Sequence, residues 1–184
     1  MIMRILTASL LLAAALPIGA QADNFDYTYA EGSVISVNPS NSSGSPSGPG
    51  VDGSLALAPN AHVFAGYSHV SCCNISRNTF DIGAGWNTPL AQQLDLFVDG
   101  EFLSVNSSGN GTDSGWGATG GLRWWLVDRL EFDGTVSHTD ISGNTENTLG
   151  ARVLWTFDPH WRVFAGASNN SDENVYMIGA RYDF

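Results

Sequence analysis

The chain has 184 residues, 43% of them hydrophobic, which suits one domain of ordinary size. Only 14% are Asp, Glu, Lys or Arg, none is lysine, and the formal net charge is −11, so the sign of the charge excludes attraction to nucleic acid. Charge this sparse points to a surface facing hydrocarbon, where a Lys or Arg at the midplane of a barrel costs roughly 2–4 kcal/mol.

Residues 1–22 read as a cleavable signal peptide: Arg4 in a short n-region, an apolar run from Leu10 to Leu16, then Ala20-Gln21-Ala22. The run is shorter than the roughly 18–20 residues of a spanning helix, and Asp23 stands where a lipoprotein would carry cysteine. The mature domain is therefore expected to be 23–184, without a lipid anchor.

No later stretch resembles a membrane helix, so spanning must come from strands, and the test is period-two alternation. Residues 25–35 alternate less cleanly than the others; Phe25, Tyr27, Tyr29 and Glu31 share one parity, and Glu31 is placed inside with allowance for a bulge. In 94–102, Leu94, Leu96, Val98 and Phe102 oppose Asp95, Asp99 and Glu101. In 114–126, Trp116, Ala118, Gly120, Leu122, Trp124 and Leu126 oppose Gly117, Thr119, Gly121, Arg123 and Trp125. In 148–157, Leu149, Ala151, Val153, Trp155 and Phe157 oppose Arg152 and its parity mates. An apolar exterior around a polar interior is the transmembrane barrel pattern.

Connections are expected to alternate in length, with tight turns at 58–60, 89–92, 127–129 and 158–160. Longer Ser/Gly/Asn loops are expected at 38–50, 71–76, 106–112, 141–145 and 169–173. The runs between them predict an all-β, closed antiparallel barrel of about ten strands of roughly 9–13 residues, with eight as the alternative. Pro59 before Val63-Phe64-Ala65-Gly66-Tyr67-Ser68 and Pro159 before Val163-Phe164-Ala165-Gly166-Ala167-Ser168 repeat a turn that feeds a strand. Tyr176, Ile178, Ala180, Tyr182 and Phe184 occupy alternate positions up to the final residue.

The signal peptide, the alternating strands, the Trp-rich strand ends and terminal Phe184 resemble small outer-membrane β-barrel proteins of Gram-negative bacteria, of the OmpX and OmpA-barrel type. Ala58-Pro59-Asn60 followed by Val63-Phe64-Ala65-Gly66-Tyr67 also resembles a proteobacterial set described as diffusible-signal-associated outer-membrane barrels. The resemblance implies outer-membrane lipid around the barrel and makes the terminal aromatic strand the signal read by the barrel-assembly machinery. It implies little about activity.

Parity places Glu31, Asp95, Asp99, Glu101, Arg123, Glu131, Asp133, Arg152, Arg162, Arg181 and Asp183 in the lumen. Charge in a narrow lumen must be paired, and Arg forks suit carboxylates, so an Arg–carboxylate network is expected, with Arg123 beside Glu131 or Asp133. Ser137-His138-Thr139-Asp140 clusters hydroxyl, imidazole and carboxylate, but sequence neighbours alternate faces, so no triad is read. His62, His69 and His160 lack metal-ligand spacing, and neither a metal nor a cofactor is expected. Cys72-Cys73 reads as a vicinal disulfide or two free thiols in a loop. Trp86, Trp124, Trp125, Trp155 and Trp161 read as one girdle of an aromatic belt. The expected function is a non-enzymatic barrel for envelope integrity or surface interaction, its surface ligand unidentified. The alternatives are a narrow, weakly cation-selective pore and, behind it, a lipid-modifying or proteolytic barrel enzyme.

Overall fold

The computed structural model describes residues 25–40, 44–73, 75–109 and 111–184. The signal-peptide reading of 1–22 lies outside them. Ten strands follow in chain order: β1 (Tyr29–Pro39), β2 (Ser47–Ala58), β3 (Ala61–Cys72), β4 (Ile75–Ala91), β5 (Leu94–Ser107), β6 (Gly111–Val127), β7 (Leu130–Ile141), β8 (Asn144–Asp158), β9 (Trp161–Asn169) and β10 (Glu173–Asp183). Each pairs antiparallel with its sequence neighbours, and β1 pairs with β10 from Tyr29↔Asp183 to Pro39↔Glu173, closing the sheet. Closure leaves no strand edge, the condition for a sheet to lie in hydrocarbon. The eight-stranded alternative is thereby excluded.

Alternation sets the two faces. Val34, Ile82, Val98, Trp116, Val136, Leu149, Trp155 and Ile178 stand on the outer wall, while Glu31, Asp95, Arg123, Glu131, Asp133, Arg162, Arg181 and Asp183 are buried inside. A barrel with apolar groups outside and charges inside is built to cross a bilayer. At one end, the turn end, two-residue connections at 59–60, 92–93, 128–129 and 159–160 join the strands. Each of these four hairpins carries a register shift beside its turn: Ala56/Ala58, Pro89/Ala91, Trp125/Val127 and Thr156/Asp158. Extra residues there bend the bulged strand and increase its local twist beside each turn.

Three expectations are corrected. At the opposite, loop end the strands run further than expected and leave only 40–46, 73–74, 108–110, 142–143 and 170–172 between them. Ser, Gly and Asn continue the ladder because strand pairing uses backbone groups alone, and Ser142 and Gly143, at φ 53° and 84°, make the two-residue turn that matches strand twist. The ladder of β1 runs without a bulge on either side. And β1 begins at Tyr29, so Phe25, Asp26, Tyr27 and Thr28 precede the strand and fold into the turn-end mouth, where Phe25 and Tyr27 are buried.

Candidate functional site

The inward parity of β1, β6, β7, β8, β9 and β10 delivers four arginines and four carboxylates to one zone near the turn end. Asp183 lies 2.8 Å from Nε of Arg162, whose Nη1 meets one oxygen of Glu131. The other oxygen of Glu131 accepts from Nε of Arg123 at 2.7 Å, and Nε of Arg123 lies 3.8 Å from Asp133. Asp133 accepts from Nη2 of Arg152 at 2.9 Å; Nη1 of Arg152 reaches Glu31 at 2.9 Å; Glu31 in turn accepts from Nε of Arg181. Cation and anion alternate along the whole path, which starts at Asp183 and finishes at Arg181, two residues apart on β10. Glu131 is fully buried and Arg181 is 1% exposed. Groups so far from water are tolerable only because each fork has a carboxylate to meet. Asp95, opposite Arg123 in the β5–β6 register, adds a fifth buried carboxylate at this level.

A second stack of side chains crosses the same zone. His62 on β3 stacks on Tyr27, with ring centroids 4.8 Å apart, and the Arg123 guanidinium lies 4.7 Å from the Tyr27 ring and 5.1 Å from the Phe25 ring. Phe25 stacks on Trp125 at 5.8 Å, and Arg162 sits 5.0 Å from the Trp125 ring. Cation–π attraction therefore runs from one wall to the other through residues that belong to no strand. Trp125 is consequently a lumen residue rather than part of the outer girdle; Trp86, Trp124, Trp155 and Trp161 do face outward. Sequence reasoning placed His62 at a strand end and missed its lumen role, although it shares the parity of Phe64 and Gly66 and opposes that of Val63, Ala65 and Tyr67.

Above this zone, toward the loop end, the lumen opens. A cavity of about 450 Å³ is lined by Asp52, Asp81, Asp99 and Glu101 together with Tyr29, Phe64 and Tyr67, and a second, of about 310 Å³, lies against Arg123, Arg152 and Arg181. Asp99 is 3.1 Å from Nε2 of His62, and Asp95 lies 3.5 Å from the Tyr27 hydroxyl. Neither Asp99 nor Glu101 is ion-paired with an arginine, although Glu31 and Arg152 of the ion-pair chain line the same larger cavity. Asp52 and Asp81, overlooked in the sequence, share this acidic wall on either side of Gly66. A Cβ at Gly66 would fall 2.6 Å from a carboxylate oxygen of each. Bare glycine wall is what gives those carboxylates room.

The remaining candidates lie elsewhere. His138 faces outward beside Trp116, 5.6 Å between centroids, and its Nδ1 is 2.9 Å from Asn147; Ser137 points the other way, 2.9 Å from Thr119. The two do not meet. Cys72 and Cys73 are free thiols with sulfurs 2.6 Å apart at the tip of the β3–β4 hairpin. At the loop-end rim Arg77 makes a two-toothed contact with Glu173, at 3.1 and 3.2 Å. Tyr176, Ile178, Ala180, Tyr182 and Phe184 share the outer face of the last strand, and Tyr182 packs edge-on against Trp161 and Phe184 at 5.0 and 5.1 Å.

No protein-family model and no curated protein matches the sequence. Among solved structures, the chain is similar to the KdgM porin, with TM-score 0.53 and 10% identity over 84% of this chain and 99% of that one. It is likewise similar to the KdgM porin in complex with disordered oligogalacturonate, with TM-score 0.52 and 10% identity over 85% and 99%. The fold is that of a small outer-membrane β-barrel. Identity this low carries the barrel architecture and nothing of its cargo, so the function of this outer-membrane-type barrel rests on its own lumen.

Proposed function

We propose that the protein is a non-enzymatic outer-membrane barrel serving envelope integrity or surface contact, its lumen held shut by the Arg–carboxylate chain. In this reading residues 1–22 direct export, the strand ending at Phe184 is presented to the assembly machinery, and the turn end faces the periplasm. The observation that carries the proposal is the unbroken path Asp183, Arg162, Glu131, Arg123, Asp133, Arg152, Glu31, Arg181. A water-filled conduit leaves charged side chains solvated along its axis; here they are desolvated and spent on one another.

A second reading is a narrow, weakly cation-selective pore. It is favoured by Asp52, Asp81 and Glu101, which surround the larger cavity without an arginine in ion-pair contact. Proteoliposomes separate the two readings. A closed barrel leaves solute-driven swelling and potassium release at the rate of protein-free liposomes, whereas potassium release well above that rate, with little chloride movement, establishes the pore.

A further inference from the structure

We infer that Phe25-Asp26-Tyr27 is a tethered plug occupying a peptide-binding site in the turn-end mouth, and that its departure opens the lumen. The inference rests on the closed-barrel reading and names the part that completes the closure.

The segment is docked through every kind of contact available to it. The Phe25 ring is held between Trp125 and the Arg123 guanidinium, and the Tyr27 ring between that guanidinium and His62. Nη1 of Arg123 donates to the carbonyl of Asp26 at 2.9 Å, so one arginine grips two rings and the backbone between them. A cation recognised by two aromatic faces and a carbonyl is a mode used for binding a ligand. None of these three residues is in the sheet, so docking does not use ladder hydrogen bonds.

The tether is as well defined as the plug. Asp26 accepts from the backbone N–H of Thr28 at 2.7 Å, an Asx turn that bends the chain from the wall into the lumen. Thr28 is fixed to the wall on both sides: its hydroxyl accepts from the N–H of Ala56 at 3.2 Å, and its carbonyl accepts from the N–H of Phe184 at 3.1 Å. Loss of the aromatic contacts would therefore free Phe25 to Tyr27 while leaving Thr28 and the barrel closure in place.

The position is that of a stopper. On the turn-end side, Phe25, Asp26 and Tyr27 line a cavity of about 330 Å³ together with Ala58, Pro59 and Asn87. On the other side, Tyr27 lines the 310 Å³ cavity that reaches Asp99 and Thr135. Tyr27 is thus the partition between two spaces. Arg123 joins partition to ion-pair chain, because the same guanidinium that holds the rings binds Glu131. With the rings and the Asp26 carbonyl gone, Arg123 loses the contacts that fix it across the mouth and is free to swing aside, which breaks the ion-pair chain at its centre and opens the lumen.

The site fits two aromatic side chains two residues apart with a backbone carbonyl between them for Arg123 to bind. An exogenous peptide of that pattern should occupy it once the native segment has been weakened.

The test is single-channel recording of full-length protein purified from membranes, beside a Phe25→Ala/Tyr27→Ala variant, with the peptide Asn-Phe-Asp-Tyr-Thr added to either side. Heat-sensitive electrophoretic mobility verifies that the variant barrel is folded, and Phe25→Ala alone is substituted if the double variant is not. The expected result is silence from the native protein, repeated openings from the variant, and their loss when peptide is added from the turn end only. Silence from a folded variant, or openings that peptide added at high concentration does not suppress, overturns the plug. Steady conduction by the native protein would instead overturn the closed-barrel reading on which the plug rests.

Discussion

Glu131 binds two arginines at once: one carboxylate oxygen accepts from Arg123 and the other meets Arg162, and the side chain between them has no exposure to solvent. Through the lumen it ties β7 to β9, which are not hydrogen-bonded neighbours, and reinforces the β6–β7 pair. Replacing Glu131 by Ala leaves Arg123 with only Asp133, 3.8 Å away, and Arg162 with only Asp183, so two buried guanidiniums lose their shared carboxylate, and breaking a buried pair in this way costs about 3–5 kcal/mol. The Glu131→Ala variant should unfold at correspondingly lower urea concentration. Combining it with Arg123→Met should recover part of the loss, because apolar groups of similar size often replace a buried ion pair at little cost.

The glycines of β4 and β6 set the bore. At Gly85 a Cβ would land on the Asp99 carboxylate and the His62 ring, and at Gly117 it would lie 2.6 Å from Glu101. Neither neighbour can be displaced without disturbing the other, so Gly85→Ala should destabilise the barrel by about 1–3 kcal/mol as an overpacked site does. Gly100, whose Cβ would meet nothing within 4 Å, is the matched control and should tolerate alanine. Equal urea midpoints for the two variants would contradict this packing.

The parity of β5, β6 and β8 was legible in the sequence because bulky apolar residues mark the outer face at almost every second position, and the inward positions of Asp95, Arg123 and Arg152 follow. β2 was harder to read. Its face holding Asp52 carries Gly48, Gly50 and Ser54, so nothing in the alternation distinguished lumen from loop. Phe25 and Tyr27 misled for a different reason: they continue the inward parity of Tyr29 and Glu31, and a local Asx turn at Asp26, rather than any change of pattern, takes the chain off the wall. The pairing partners were legible only as classes. That Arg152 meets Glu31, far away in sequence and across from β8 on β1, depends on closure of the ring.

Orientation can be tested at the hairpin tip holding Cys72 and Cys73, where Cys73 is exposed. If the turn end faces the periplasm, a membrane-impermeant maleimide should label these thiols on intact cells after mild reduction. The Cys72→Ser/Cys73→Ser variant should show no signal. Labelling that appears only when the outer membrane is broken would reverse the orientation.

Charge in the wide half of the lumen should show in any current that passes. In a Glu131→Ala background, Asp52→Asn, Asp81→Asn and Glu101→Gln together remove three carboxylates from the larger cavity. The reversal potential in a potassium chloride gradient should move toward the chloride side, since a ring of carboxylates favours cations. An unchanged potential would place the current outside this cavity.

Phe184 stands on the outer wall against Tyr182, away from the ion-pair chain. Phe184→Ala should therefore lower the amount of protein assembled in the outer membrane while leaving refolding from urea into detergent nearly unchanged. Equal loss in both would make Phe184 a packing residue instead of an assembly signal.

The most direct test of the closed lumen is single-channel recording of the native protein beside Glu131→Ala, which removes the carboxylate shared by Arg123 and Arg162. A lumen shut by that chain gives a silent native barrel and repeated openings in the variant. Steady native current of the same size as the variant's would contradict it.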